Sequence, residues 1–436
     1  MHGLLAHEGW QPPRMVAYAA VEARPGYNSC HAHEYIDEPE TLAAKVQVLA
    51  RLIRRSRNCI AYTGAGISTA SGINDYASVA VSSVTGGQQH KSPVSHMLAE
   101  PTLAHRVLTS VYHAGLMKQW IQQNHDGLPQ KAGFPQHALN EIHGAWFDPS
   151  NPVVKMEGEL RSDLYASLLE WEQRADLCLA IGTTLAGMNA DRVAATPAAA
   201  AVAGVPGALG LVIINLQQTQ MDEQASLRIF AKIDDVMEAL ARELGLTPAT
   251  PPDFRRSAAA AVTEVVADNE TPLAEQHWIE YGSDGLPLDA GEPLRLLDMS
   301  EGARVRILSG PYAGDEGELL GRSRMGHYQI RFMHTIQQRP PFRVQGVDTV
   351  GKRGNGSWLA PMTHTLGAWM VTEAVQGLLP SFPFESVSGD EPPSPSQDEH
   401  QECAAAGLPD WVKESYLKEG KGIPQQPKPY VGYGCD

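Results

Sequence analysis

Two glycines and a serine carry the first chemical signal in this chain. Gly64 and Gly66 follow an apolar run, residues 58–62, that reads as a buried strand, and Ser68 stands where it would cap a following helix. Glycine lets backbone N–H groups come close to a phosphate, and a helix N-terminus favours negative charge. A Gly-x-Gly alone also fits any tight strand-to-helix turn. Two later apolar runs end in the same manner: residues 175–181 lead into Gly182-Thr183-Thr184, and residues 209–215 finish on Asn215. Ligands of open parallel sheets collect beyond the carboxyl ends of the strands, so Gly64, Gly182 and Asn215 are expected to converge on one site.

The elements that would position these residues are legible around them. From Glu40, Leu42, Val46, Leu49, Leu52 and Ile53 recur at spacings of three and four, the pattern of a helix with one apolar face. Arg51, Arg54, Arg55 and Arg57 lie on its far side and at its end, a solvated face with favourable C-terminal charge. A second helix includes DDVMEALAREL and closes the domain near Leu246. Strands alternating with helices predict an α/β fold, a Rossmann-like parallel sheet with helices on both faces, over residues 41–247.

Residues 1–40, rich in His, Pro and Tyr, read as a solvated extension. His31, His33 and Glu34 are metal-ligand types, but a lead-in segment is the commoner origin of such a cluster. TPATPPDF, residues 247–254, breaks the first pattern, and residues 248–293 read as a linker with a short helix over 258–266. Residues 294–361 hold short alternating apolar runs between glycines, the pattern of a small antiparallel barrel. From Leu378, Pro, Ser, Gln and acidic residues predict a disordered tail to residue 436, with one short helix over 411–417.

The bulk numbers agree. A chain of 436 residues allows about two or three domains of roughly 100–200 residues each. A net charge of −16 argues against a general binder of polyanions. The five cysteines are scattered, which is neither a disulfide framework nor a zinc ribbon, and Cys59 and Cys178 sit in apolar runs as small hydrophobes. No stretch approaches the roughly 20 apolar residues of a membrane span, and MHGLLAHEGWQPPRM lacks the form of a secretory signal. The expectation is a soluble intracellular protein, cytosolic or nuclear, without a membrane partner.

The string AYTGAGISTASGINDYA, read whole, resembles the sirtuin signature, GAGIS, two free residues, then SGIPDFR. GAGIS and SGI are intact, whereas Asn74, Tyr76 and Ala77 replace the family's Pro, Phe and Arg. Further matches follow in family order. Glu100-Pro101-Thr102 with His105 looks like the segment after the variable cofactor loop. QNHDGL, Gln123 to Leu128, with Ala132-Gly133 resembles QNIDGLHxxAG. His143-Gly144, VVKMEGEL, the 175–184 strand and Asn215 complete the series. The resemblance implies NAD as cofactor, held by Gly64, Ala65, Gly66, Ser68, Asp75, Gln123, Gly182, Thr183, Thr184 and Asn215. It also implies Asn124 and Asp126 in the nicotinamide pocket, a position that a plain Asx turn would equally explain. Thr183 and Thr184 would face the phosphate or ribose, and Asn215 the adenosine half.

Three departures bear on activity. The family's general base is the histidine that ends QNIDGLH, and Pro129 stands there. Proline has no titratable group, a loss of about 10²–10⁴ in rate. His125, in the same loop, is the candidate for a relocated base, because imidazole titrates near neutrality; it would equally fill the isoleucine's packing site. His137 and His143 lie nearby in sequence. Second, the family's four zinc cysteines are missing, and AWFDPSNP, residues 145–152, bridges directly to VVKMEGEL. A structural zinc needs about four N or S ligands, so no zinc is expected. Third, Ala77 removes a guanidinium from the cofactor side, and LAGMNADR departs from the family's peptide-cleft wall.

GARVRILSGPYAGDEGELLG, residues 302–321, resembles a KOW motif, which implies an SH3-like barrel. Ten basic residues against six acidic ones over 294–361 make an RNA or protein contact conceivable, although an ordinary solvated surface has the same composition. Tyr312, Tyr328 and Trp358 would stack on bases or fill the barrel core.

The function implied is that of an NAD-dependent protein-lysine deacylase, or a related nicotinamide-releasing transferase, acting on an acylated protein. The alternatives are a catalytically lapsed sensor of NAD or ADP-ribose with an adaptor barrel, and an NAD hydrolase.

Overall fold

The computed structural model describes residues 1–75, 77–85, 96–155, 158–255, 275–336, 351–352 and 358–387. The chain divides into two compact units, Met1–His143 with Ser167–Pro252, and Gly144–Ala166 with Asp253–Asp436.

The first unit opens with β1 (Arg14–Ala17) antiparallel to β2 (Glu34–Ile36). Helix α1 (Pro39–Arg55) starts on a proline suited to the first helical position and buries Val46, Leu49, Leu52 and Ile53, the face the sequence spacing predicts. Then come β3 (Cys59–Thr63), α2 (Leu103–His113), β4 (Gln119–Gln122), α3 (Leu128–Lys131) and β5 (Leu139–Glu141). After α4 (Ser162–Arg174), the unit continues with β6 (Leu177–Ile181), α5 (Arg192–Val202), β7 (Gly210–Ile214), β8 (Leu227–Ile229) and α6 (Ile233–Leu244). Six of these strands form one parallel sheet in the order β5-β4-β3-β6-β7-β8. That is the doubly wound order, in which the crevice for a ligand opens where the order reverses, between β3 and β6. Alternate strand residues, among them Ala61, Leu179 and Val212, join α1, α2 and α6 in one core, and α5 packs on β6 and β7.

The first 40 residues are more than a solvated extension. Glu34, Asp37, Ala23 and Ala32 are buried, and β2 is tied to the sheet's carboxyl side by Tyr35 N–H donating to the Leu216 carbonyl (3.0 Å). His33 accepts from the Ala19 N–H through Nδ1 and stacks on Tyr18.

In the second unit β9 (Gln276–Ile279) pairs with β10 (Arg295–Asp298). A second, antiparallel sheet follows. It is built from β11 (Arg304–Ile307), β12 (Glu316–Arg322), β13 (Tyr328–Ile336), β14 (Gly351–Lys352), β15 (Trp358–Leu366) and, after a helix at Ala368–Val375, β16 (Phe384–Ser386). This sheet is consistent with a small barrel, and β11 and β12 are the hairpin within GARVRILSGPYAGDEGELLG. Strand β9 falls inside the stretch read as linker. Strand β16, paired with β11, lies beyond the boundary at residue 361 and within the tail read as disordered from Leu378. Phe382 and Phe384 are buried, and it is this apolar pair among Pro and Ser that draws the segment into the sheet. The helices expected over 258–266 and 411–417, and the tail from residue 388, lie outside the described residues. The loop replacing the zinc ribbon closes on itself, with Ala145 N–H donating to the Asn151 carbonyl (2.8 Å) and Ser150 N–H and Oγ donating to Asp148. The described residues of VVKMEGEL form no strand.

Candidate functional site

The glycine turn joins two strand ends. Gly64 N–H donates to the Ile181 carbonyl (3.1 Å) and Gly66 N–H to the Gly182 carbonyl (2.9 Å). A Cβ on Gly64 would sit 2.8 Å from the Gly182 oxygen, and one on Gly66 would sit 2.8 Å from the Gly182 Cα. The glycines are therefore required for the close crossing of the β3 and β6 ends, and two of the N–H groups expected to face a phosphate face protein carbonyls instead. Ala65 begins a 3₁₀ helix that runs to Ser71, and its first turn leaves N–H groups without intrahelical partners.

Ser68 is not a cap. It lies inside that 3₁₀ helix, fully buried, where its hydroxyl donates to Asp126 Oδ2 (2.6 Å) and accepts from Asn124 Nδ2 (3.2 Å). Asn124 Nδ2 also reaches the Gly64 carbonyl (3.1 Å), and Asp126 Oδ1 accepts from the Leu128 N–H (3.1 Å). The Asx turn is thus present, and the signature helix and the QNHDGL loop are bolted together through it. Burial pushes the nearby Lys131 amine down to about 8, opposed by the carboxylates of Asp126 and Glu100. Its ammonium donates to the carbonyls of Met97 and Ala99.

Gln123, Thr183 and Asn215 link the ends of β4, β6 and β7. Gln123 Nε2 donates to Thr183 Oγ1 (2.8 Å), and Asn215 Nδ2 donates to the Thr183 carbonyl (3.2 Å). Thr183 is buried with its hydroxyl engaged by Gln123, whereas Thr184 is half-buried. The next residue, Leu185, adopts φ 48°, in the left-handed region that side chains rarely enter. Beyond it, Asp191 gathers the N–H groups of Gly187 and Met188 and the Tyr62 hydroxyl, which shapes the LAGMNADR loop.

Pro129 is buried in the short helix α3, and its carbonyl receives the N–H groups of Ala132 and Phe134. His125 is half-buried beside His143. Desolvation first, and then the His125 charge, hold His143 down at about 4, while its bond to the Gln123 backbone opposes them.

Beside this network lies a cavity of about 230 Å³. Of the residues singled out from sequence, Gly66, Asp75 and Asn215 line it, while Gly64, Ser68, Gln123, Asn124, Asp126, Gly182 and Thr183 take part in the hydrogen bonds described above. Asp75 holds its own turn, accepting from Ser78 N–H (2.7 Å) and Ser78 Oγ (2.9 Å). Sequence reading missed Gln217, Lys232, Asp234 and Asp235, which complete the wall. The signal was available: Lys232 follows the end of β8, and the rule that points to the ends of β3, β6 and β7 applies there too.

Among the described residues no three His, Cys, Asp or Glu side chains come together as metal ligands. Cys59 and Cys178 are buried, and desolvation pushes both thiols up, which leaves them unreactive. No helix among the described residues is long and apolar enough to cross a membrane.

The barrel's arginines are largely engaged at home. Arg295 pairs with Glu385, Arg304 with Glu316, Arg306 with both, Arg322 with Glu275, and Arg331 with Glu318. Tyr312 and Tyr328 are buried, so they fill the core and do not offer faces to bases. The RNA or protein contact expected through the barrel therefore gains no support. Arg339, Arg343, Arg353 and the Trp358 side chain lie outside the described residues.

No family model matches the chain. It is 29% identical over 307 residues to the mouse (Mus musculus) NAD-dependent protein deacetylase sirtuin-7, over 60% of this chain and 75% of that protein. It is 28% identical over 253 residues to the Arabidopsis thaliana NAD-dependent protein deacetylase SRT1, over 49% of this chain and 52% of that protein. A solved structure of Sir2 with a p53 peptide and NAD+ superposes with TM-score 0.38 at 24% identity, over 46% of this chain and 98% of that one. With GAGIS, the QNHDGL loop and Asn215 in family order, the chain is similar to the sirtuin NAD-dependent protein deacetylases.

Proposed function

We propose that this chain is an NAD-dependent protein-lysine deacylase working from a rearranged active site. The observation that carries the reading is the polar network Ser68–Asn124–Asp126, set beside a cavity at the carboxyl ends of the parallel strands. The cavity's residue types suit a nucleotide. Asn215, Gln217 and Lys232 donate, Asp75 and Asp235 suit ribose hydroxyls, and Ile67, Val84 and Ile233 supply an apolar wall. Bound there, NAD supplies an electrophilic ribose carbon from which nicotinamide departs.

The chain's own part is to hold and orient. In this reading Asn124 and Asp126 are pre-set by Ser68, which removes the cost of ordering them at the moment of reaction. Gln123 and Asn215 act through Thr183 to fix the strand ends. His125 is the imidazole of the loop that leads into Pro129, and it takes the general-base role.

The buried Pro129 also favours a second reading, a sensor that binds NAD or ADP-ribose without turnover. Release of free nicotinamide from NAD, with and without an acyl-lysine peptide, separates them. The enzyme reading expects release above a blank that falls about 100-fold in His125→Ala. No release from the wild-type chain would leave only the sensor. Equal release with and without peptide would instead indicate NAD hydrolysis.

A further inference from the structure

We propose that Glu34, on the N-terminal strand β2, is a positioning residue that sets the wall of the nucleotide cavity. The inference rests on the reading of that cavity as the NAD site. Glu34 is fully buried, and its carboxylate is met by donors from two other segments of the chain. Its Oε1 accepts from the Ser83 hydroxyl (2.6 Å) and from Gln217 Nε2 (3.4 Å), and its Oε2 accepts from the Val84 N–H (2.9 Å). Val84 and Gln217 line the cavity from two separate segments of chain, so one carboxylate pins both.

The tie continues along the wall. Ser83 Oγ lies 3.0 Å from Thr85 Oγ1, Thr85 Oγ1 donates to Ser78 Oγ (3.0 Å), and Ser78 Oγ donates to Asp75 Oδ2. Thr85, Ser78 and Asp75 all line the cavity. A run of hydroxyls thus joins Glu34 to the last acidic residue of the signature. The backbone of β2 is fixed independently, through the Tyr35 N–H to Leu216 and a bridge from Glu34 to Gln217. The Glu34 side chain is therefore held in place from behind while it organises the segment in front. A buried carboxylate with three donors is a strong local organiser, because charge-assisted hydrogen bonds are about twice as strong as neutral ones.

Glu34→Gln keeps the size but has one acceptor oxygen for donors that approach from two sides, so an amide meets a donor. Calorimetric titration of the full chain with NAD, and the KM for NAD in nicotinamide release, test the role. The expected result is a rise of about tenfold in Kd and KM with kcat unchanged, the mark of lost uniform binding. Ser83→Ala, in a half-buried loop position, cuts the same tie from the other side and serves if Glu34→Gln folds poorly. Its expected rise is about threefold, and the double variant should be no worse than Glu34→Gln alone, since the two act on one link. Asp37→Asn, which disturbs the neighbouring carboxylate bonded to Lys45 and Phe230, should lower the unfolding temperature and leave the Kd of the folded chain unaltered. Wild-type affinity in both Glu34→Gln and Ser83→Ala, or additive losses in the double variant, would overturn the proposal. Failure of the wild-type chain to bind NAD would overturn the reading of the cavity itself.

Discussion

At the scale of single residues, the site depends on Ser68. Its hydroxyl is the joint between the signature helix and the QNHDGL loop, because it both donates to Asp126 and accepts from Asn124. Removing it leaves a buried carboxylate short of a donor, at a cost of about 1–3 kcal/mol. Ser68→Ala is accordingly expected to lower nicotinamide release about tenfold or more while the chain still folds, as measured by initial rates beside a far-ultraviolet spectrum. Unchanged rates would mean that the loop is held by other contacts. The identities of Asn124 and Asp126 were legible in the sequence, but the joint was not. Ser68 occupies a position where a cap is the commonest use of a serine, and only the close approach of a residue 58 positions away shows otherwise. Glu34 was illegible for the same reason. Its partners lie 49, 50 and 183 residues off, and nothing local marks a buried acid.

At the scale of elements, β3, β6 and β7 were plain because strands buried on both faces are continuous apolar runs, as in LCLAI and GLVII. The short strands β4 and β5 were not read as strands. Gln119, Gln122, Asn140 and Glu141 look like loop residues, yet all are buried, and Gln122 satisfies Glu141 across the pair (3.1 Å). The crossing of the β3 and β6 ends makes a stringent demand on glycine. Gly182 has φ 63°, and a Cβ there would meet the Ile67 nitrogen at 2.6 Å. Strain and overpacking together cost about 2–4 kcal/mol. Gly182→Ala should therefore lower the unfolding free energy by that amount and move the urea midpoint down with m unchanged, with loss of binding at the same temperature. A midpoint equal to that of the wild type would show that the crossing relaxes.

At the scale of the whole molecule, both units carry buried or half-buried histidines that resist charging. Desolvation holds His105 at about 4 in the first unit and His364 at about 4 in the second, with His143 at about 4 beside His125. Each is depressed below its unfolded value of 6.5, so the unfolded chain binds more protons between those limits. Stability is complete above about pH 6.5 and declines as the pH falls toward 4, by as much as about 3 kcal/mol for each histidine. Thermal unfolding followed across that range should show the midpoint falling steadily, and a flat profile would contradict the burial. In the second unit His364 meets His334, which is paired in turn with Asp315, so acid is expected to loosen the barrel as well as the sheet.

The most direct test is whether NAD binds in the cavity at the carboxyl ends of the parallel strands. Ala70 stands exposed on its rim, so Ala70→Trp fills the space without removing a buried hydrogen bond. Calorimetric titration of the wild-type chain with NAD should give one saturable site, and Ala70→Trp should abolish it with the unfolding temperature unchanged. Absence of binding by the folded wild-type chain, or full affinity in Ala70→Trp, would contradict that placement.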